Sequence, residues 1–257
     1  MSDFIPTPER QKQILSRLTR RGRLSVTEIV RQFSISEATA RRDLESLAAQ
    51  GKVQRVHGGV IAIEQAPPEL PILERAQEQS HDKARIGRAA ANLIGDKETV
   101  FLGSGTTVLE VARNLRDRKN LTVITNSLPV LNLLVGIAEI TVIAVGGMLR
   151  ESEMSFIGHI TEQALTEVRA DKVVMGTRCL SLEHGLTNDY LPETLTDRAI
   201  LKTGREVVIV ADHSKVNRVA TALLAPLEVM HAFVTDSKAD KKFIQALKKM
   251  GITVIAA

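Results

Sequence analysis

The chain has 257 residues, is 44% hydrophobic, carries a net charge of +4 and contains one cysteine. That length and apolar content exceed what one small module needs, so two domains are expected. No apolar run reaches the roughly 18 residues of a membrane span. Cys179 has no partner for an internal disulfide, and Met1-Ser2-Asp3-Phe4 lacks the basic-then-apolar pattern of a secretory leader. A cytoplasmic protein with no membrane partner is therefore expected, with Cys179 as a buried small hydrophobe rather than a reactive thiol.

Residues 1–60 hold 11 Lys plus Arg against 6 Asp plus Glu, a net +5, so the rest of the chain stands at −1. A basic N-terminal quarter beside a near-neutral larger part suggests a polyanion reader joined to something else.

Pro8 and Glu9 suit a helix start, with Ile14, Leu15 and Leu18 as its inner face and Arg20-Arg21-Gly22-Arg23 as its basic stop. Ser25 and Glu28 form a reciprocal capping pattern ahead of Ile29, Val30 and Phe33, which predicts a second short amphipathic helix. After the turn at Ser34-Ile35-Ser36 a third helix is expected. Ser36 is its N-cap, and Ala40, Leu44, Leu47 and Ala48 share one face. Ala38, Thr39 and Arg42 lie on the opposite face, with Arg41 on the flank. Two short helices joined by a tight turn, the second basic at its start, are a helix-turn-helix pattern. Beyond Gly51, the segments 52–56 and 60–63 flank His57-Gly58-Gly59 as a hairpin, the wing of a winged helix. Arg55 and His57 can touch phosphate or the minor groove, or can simply belong to an exposed hairpin.

Pro67, Pro68 and Pro71 rule out a continuous helix, so residues 1–63 are expected as a DNA-binding domain, 64–80 as a linker and 81–257 as a second domain. Leu73 to Ile94 reads as helical, with Lys83, Arg85 and Arg88 as a solvated basic face. From Thr99 short aliphatic strands alternate with helices: 99–102, 121–125, 139–145, 172–175, 206–210, 232–235 and 252–255. This rhythm predicts an α/β domain whose mostly parallel sheet is covered on both faces, with ligands at the carboxyl ends of its strands.

The polar motifs fall at those ends. Gly103-Ser104-Gly105-Thr106-Thr107 follows the first strand and opens a helix, where amides and hydroxyls donate well to phosphate. A plain strand-to-helix turn is the alternative. The loop lacks the Lys of a P-loop and the spacing of a dinucleotide fingerprint, so a small phosphorylated ligand fits it better than a nucleotide cofactor, and no cofactor is expected. Thr125-Asn126-Ser127, Gly146-Gly147 near Arg150, and Asp212-His213-Ser214-Lys215 repeat the theme. Lys215 can meet a phosphate and Asp212 a sugar hydroxyl, or the two can form a structural pair; convergence of independent strand ends favours the ligand role. Glu193 and Arg198, on a helix expected after Pro192, can join them or face solvent. The scattered histidines offer no metal-ligand spacing, so no metal is expected, and no Gly-x-Ser-x-Gly elbow occurs.

Taken together, these residues resemble the DeoR family of bacterial transcriptional regulators over nearly the whole chain. The family's signature helix corresponds to Ser36, Thr39, Ala40, Arg41, Arg42, Asp43 and Leu44, followed by the wing residues His57, Gly58 and Gly59. The second half resembles the family's sensor domain, which is related to phosphosugar isomerases and coenzyme A transferases. Its matches are Lys83, Gly105-Thr106-Thr107, Thr125-Asn126-Ser127, Gly146-Gly147, Asp171, Gly185-Leu186, Glu193 and Asp212-x-Ser214-Lys215. Gly103 stands where many members carry an Asp that bonds a ligand hydroxyl.

The expected function is thus a repressor of sugar or related carbon metabolism genes, not an enzyme, with no catalytic residue. Double-stranded operator DNA would meet Ser36, Ala38, Thr39, Arg41, Arg42, Arg55 and His57, with Arg42 best placed to read guanine. A phosphorylated sugar or similar effector would meet residues 103–107 and 125–127, Gly147, Glu193, Asp212 and Lys215. A homodimer or homotetramer on repeated half-sites is expected. The alternative is a phosphosugar isomerase or deaminase with an added DNA-binding module. The chain has no Asp-Glu dipeptide of the kind such enzymes carry, and Val145 rather than Lys precedes Gly146-Gly147.

Overall fold

A computed structural model describes residues 6–257 apart from 22, 50–52, 57, 63 and 66–69. The chain divides into two compact units, Met1–Glu64 and Gln65–Ala257.

The first unit contains α1 (Thr7–Arg21), β1 (Arg23–Ser25), α2 (Val26–Phe33), α3 (Glu37–Ala49), β2 (Val53–Val56) and β3 (Gly59–Ala62). Its sheet is antiparallel in the order β1-β3-β2, so the expected hairpin is present and gains a third strand. Arg23, expected as part of a helix stop, begins that strand, because Leu24 pairs with Val60 and both enter the core. Gly59 permits the pairing: a Cβ there would lie 2.2 Å from the Leu24 carbonyl oxygen. The capping box forms as the sequence predicts. Ser25 Oγ accepts from Glu28 N at 3.1 Å, and the Glu28 carboxylate accepts from Ser25 N at 2.7 Å. Ile14, Leu18, Ile29, Leu44, Leu47, Val53 and Val60 close the core, each burial stabilising by roughly 1.5–3 kcal/mol.

In the second unit, α4 (Ile72–Arg75) and α5 (Ser80–Ala91) replace the single helix expected over 73–94. Gln79, at φ 50°, turns the chain between them. Tertiary contacts impose the break. Arg75 is held in a buried bidentate pair by Glu153, and Ile72 N donates to Ser152 O at 2.8 Å. Residues 72–80, within the stretch expected as linker, thus belong to the second compact unit.

The main sheet comprises β4 (Thr99–Leu102), β5 (Leu121–Thr125), β6 (Ile140–Ala144), β9 (Ala170–Met175), β12 (Gly204–Val210), β14 (Ala232–Thr235) and β15 (Thr253–Ala256), with β7 (Met148–Arg150) and β8 (Ser155–Ile157) as a separate hairpin. All seven are parallel, in the order β15-β14-β12-β9-β4-β5-β6. Alternate residues point to opposite faces. Val100, Leu102, Val174, Val208 and Val234 meet α5, α6 (Thr106–Arg113) and α7 (Leu128–Leu134). Phe101, Val173, Met175, Ile209 and Phe233 meet α8 (His159–Thr166), α9 (Leu191–Leu201) and α10 (Lys241–Lys249). A small antiparallel sheet of β10 (Cys179–Ser181), β11 (Gly185–Asn188) and β13 (Ala222–Ala225) adjoins α9.

The chain runs outward from β4 through β5 to β6, then returns to β9 on the other side of β4. The topological switch therefore lies between β4 and β9, where a parallel sheet opens a crevice at its carboxyl edge. On one side of it α5 and α6 approach closely: a Cβ at Gly87 would lie 2.6 Å from the main-chain carbon of Glu110. Among the described residues no helix is long and apolar enough to cross a membrane.

Candidate functional site

In the first unit, Ser34 at φ 50° reverses the chain after α2, and Ser36 starts α3. Ser36 Oγ accepts from Thr39 N at 3.2 Å and lies 2.9 Å from Thr39 Oγ1. Ala40, Leu44 and Leu47 face inward, whereas Ser36, Ala38, Arg41 and Arg42 are exposed and Thr39 is half-buried. Arg41 turns toward Glu37, its Nε donating at 3.0 Å. Arg42 makes no hydrogen bond or ion pair with a described residue, so its guanidinium is available to an outside partner. From the wing strand β2, Arg55 reaches the Arg41 carbonyl at 3.4 Å and Glu45 at 3.8 Å. His57 lies outside the described residues. The exposed side of α3 and the wing arginine thus lie next to each other.

In the second unit a cleft opens at the carboxyl ends of β4, β9 and β12, at the switch point. Ser104, Gly105, Thr106 and Thr107 line it. Gly105, at φ 112°, is the N-cap of α6, so the first amides of that helix have no carbonyl within it to bond and remain as anion donors. Asp212, Ser214 and Lys215 come from the end of β12. Asp212 Oδ1 accepts from Ser214 N at 2.8 Å, which shapes the turn that carries Lys215.

Lys83 also lines the cleft, only 5% exposed, and its Nζ donates to Arg75 O at 2.6 Å. Burial lowers its pKa, an effect that Asp212 opposes and Lys215 reinforces. This corrects the reading of Lys83 as part of a solvated basic face. The signal was present in the spacing: Lys83 shares the inward face of α5 with Ile86, Gly87 and Ala90.

The opposite side of the cleft is acidic. Glu193 pairs with Arg150, which also sits over the Tyr190 ring at 4.6 Å, and Ser155 Oγ donates to Glu193 at 3.3 Å. Asn188 Nδ2 donates to Asp197 Oδ2 at 2.8 Å. Burial and the neighbouring Glu193 hold the Asp197 carboxyl well above the usual carboxylate range. Arg178, another lining residue, donates from Nε to Asp189 at 2.6 Å.

Five residues expected at the ligand do not line this cleft. Gly103 continues the sheet, its N donating to Val174 O at 3.0 Å. Thr125 Oγ1 donates to Leu102 O at 2.7 Å, Asn126 Nδ2 to Phe156 O at 3.0 Å, and Ser127 caps α7. A Cβ at Gly147 would lie 2.0 Å from Thr161 Oγ1, so that glycine serves close packing. Strands β5 and β6 stand one and two places outside the switch, and their ends are tied to β8 and α8 instead of the cleft. Conversely, Arg75, Asn188 and Asp197 line the cleft although no local motif marks them.

Asp82, His213 and Asp236 are grouped with spacing that a metal could use. Lys238 and Arg85 already contact Asp82, at 2.8 and 2.7 Å, and His213 Nδ1 bonds Asp236 at 3.0 Å. Those cations supply the positive charge, and hydrogen bonding from Lys238 is the main cause of the lowered Asp82 pKa. Cys179 is buried, which pushes its thiol up to about 11.

Residues 10–66 match a DeoR-like helix-turn-helix domain, and residues 78–237 match the DeoR C terminal sensor domain. Transcriptional repressor AccR of Agrobacterium fabrum is 34% identical over 91% of each chain. The HTH-type transcriptional regulator IolR of Bacillus subtilis is 32% identical over 92% of each. The glycerol-3-phosphate regulon repressor of Escherichia coli is 33% identical over 93% of this chain and 94% of that one. Ribose 5 phosphate isomerase A from Neisseria gonorrhoeae shares 17% identity over 52% of each chain, with a TM-score of 0.39.

Proposed function

Because the chain belongs to the DeoR family of transcriptional regulators, we propose that α3 is the helix that reads operator DNA and that the cleft at the β4–β9 switch holds the phosphorylated effector controlling it. The protein is a DNA-binding repressor of sugar or related carbon metabolism genes, acting in the cytoplasm. The observation that carries the reading is the exposed Arg42 on α3, without a described partner in a winged helix-turn-helix whose wing arginine is close by. Arg42 reads a base edge, Arg41 and Arg55 contact phosphates, and Ser36, Ala38, Thr39 and His57 complete the contact surface.

At the other site, the α6 amides with Ser104, Gly105, Thr106 and Thr107 cradle the phosphate, while Lys83 and Lys215 neutralise it. Asp212 and Glu193 orient the rest of the ligand. The effector changes operator affinity by favouring one arrangement of a homodimer or homotetramer on repeated half-sites. No turnover is assigned: the cations serve to bind phosphate, and Glu193 is engaged by Arg150.

Selection of bound sequences from a random duplex library, followed by titration of the recovered duplex at several salt concentrations, tests the first half of the reading. Binding that falls steeply with salt and is altered by one of a panel of sugar phosphates is the expected result. Absence of sequence-selective duplex binding would overturn it. Steady conversion of a sugar phosphate by the purified protein would reinstate the isomerase or deaminase alternative.

A further inference from the structure

The phosphate reading leaves the acidic side of the cleft unexplained. Phosphate recognition needs neither Asn188 nor Asp197, yet both side chains are more than nine-tenths buried on the wall formed by β11 and α9. Asp197 Oδ2 is occupied by Asn188 Nδ2, while Asp197 Oδ1 has no hydrogen-bond partner among the described residues. The nearby cations are engaged elsewhere, Arg150 by Glu193 and Arg178 Nε by Asp189. No described ion pair neutralises Asp197.

We infer that Asp197 and Asn188 form a second subsite, one that reads the hydroxyl groups of an uncharged polyol or sugar skeleton and rejects a second anionic group at that end. The inference rests on the phosphate being held at the α6 cradle. Burial and Glu193 raise the Asp197 pKa, and the carboxyl in its neutral form both donates and accepts, which suits a hydroxyl, itself donor and acceptor. The amide of Asn188 fixes one carboxyl oxygen and leaves the other to the ligand. A carboxylate or second phosphate placed there would meet the Asp197 carboxyl beside Glu193 and Glu153, whose guanidinium partners Arg150 and Arg75 are already engaged by those glutamates. The cleft is therefore bipolar, with a cationic, amide-rich end for one phosphate and a neutral-acid end for hydroxyls.

The test is calorimetric titration of the full-length protein with inorganic phosphate and two matched pairs: glycerol 3-phosphate with 3-phosphoglycerate, and ribose 5-phosphate with 5-phosphoribonate. Each pair sets a hydroxylated monophosphate against a carboxylated counterpart. In at least one pair the hydroxylated member should bind more than tenfold tighter than both its partner and inorganic phosphate. Asp197→Ala should remove that margin while leaving inorganic phosphate within about twofold, and Asp197→Asn, which keeps a donor and an acceptor, should retain most of it. Equal binding within both pairs by the wild-type protein overturns the subsite without any variant, as does a margin that survives Asp197→Ala. Failure of every compound, inorganic phosphate included, overturns the phosphate reading and the subsite with it. Phosphate binding without a hydroxyl margin overturns the subsite alone.

Discussion

Arg10 on α1 clasps Asp43 on α3, its Nε and Nη2 donating to the two carboxylate oxygens at 2.6 and 3.2 Å with both side chains buried. Asp43 directly follows Arg41 and Arg42 in the sequence, yet it faces the opposite way and bolts the helix that carries them to α1. Breaking a buried pair by removing one partner typically costs roughly 3–5 kcal/mol, because the other charge is left uncompensated. Asp43→Ala should therefore lower the thermal transition of the N-terminal unit by more than about ten degrees and abolish duplex binding. The double change Arg10→Met with Asp43→Leu should restore most of the stability. A single variant as stable as wild type in circular dichroism melts would show that the pair does not hold α3.

Arg42→Ala should weaken specific operator binding by about 1–3 kcal/mol and relax preference at one base position. Arg55→Ala should instead weaken all duplexes alike and reduce the salt slope by about one. Anisotropy titrations across a salt series, on the selected duplex and a scrambled one, separate the two effects.

Lys83→Met should weaken inorganic phosphate binding by about tenfold or more, the scale of a buried charge-assisted contact. Burial depresses the Lys83 pKa, so its charge is lost at lower pH than that of an exposed lysine. Phosphate binding to the ammonium takes up a proton in that range. Wild-type affinity should accordingly fall as pH rises through the depressed value, and the Met variant should lose that part of the dependence. Identical pH profiles by calorimetry would remove Lys83 from the site.

Asp197 opposes folding at neutral pH. Below the ordinary carboxyl value the residue is protonated in both folded and unfolded chains. As pH rises above it the unfolded chain ionises, while the folded one is held neutral by burial and Glu193. The raised pKa therefore contributes stability that is fully present at low pH and lost as pH climbs toward the folded value. Asp197→Asn should melt higher than wild type at pH 7, by a margin that shrinks to nothing below about pH 4. A margin independent of pH would refute the protonated assignment.

Cys179 should be inert to aromatic disulfide reagents in the native protein and react in full once unfolded, since the thiol is buried and held at about 11.

Much of this architecture was legible because its signals are local. Thr99–Leu102, Leu121–Thr125 and Ala232–Thr235 are aliphatic runs bounded by polar or glycine residues, and each forms the strand read from the sequence. The face of α3 followed from the spacing of Ala40, Leu44 and Leu47. The misreadings concern partners distant in sequence. β1 is only three residues long and exists because Leu24 finds Val60. The break before α5 depends on Glu153, more than seventy residues beyond Arg75. In the cleft, residues 104–107, Asp212 and Lys215 carried recognisable strand-end chemistry. Asp197 did not, since its meaning lies in Asn188 and Glu193 and in its burial. Thr125-Asn126-Ser127 stand outside the cleft for a converse reason: Thr125 Oγ1 bonds Leu102 O, Asn126 Nδ2 bonds Phe156 O and Ser127 caps α7, one strand beyond the switch.

Gly87 gives the second unit a tuning point that touches no ligand. Nothing larger than hydrogen fits between α5 and the main chain at Glu110, so even a methyl group at position 87 must push the two helices apart. The helix displaced is α6, whose first turn is the proposed phosphate cradle, while the one that holds Lys83 is α5. The separation of these two groups is thus a dimension set by a missing side chain, and on the proposed reading a substitution at position 87 retunes sensitivity to the effector from the rear of the cleft with every contacting residue left unchanged.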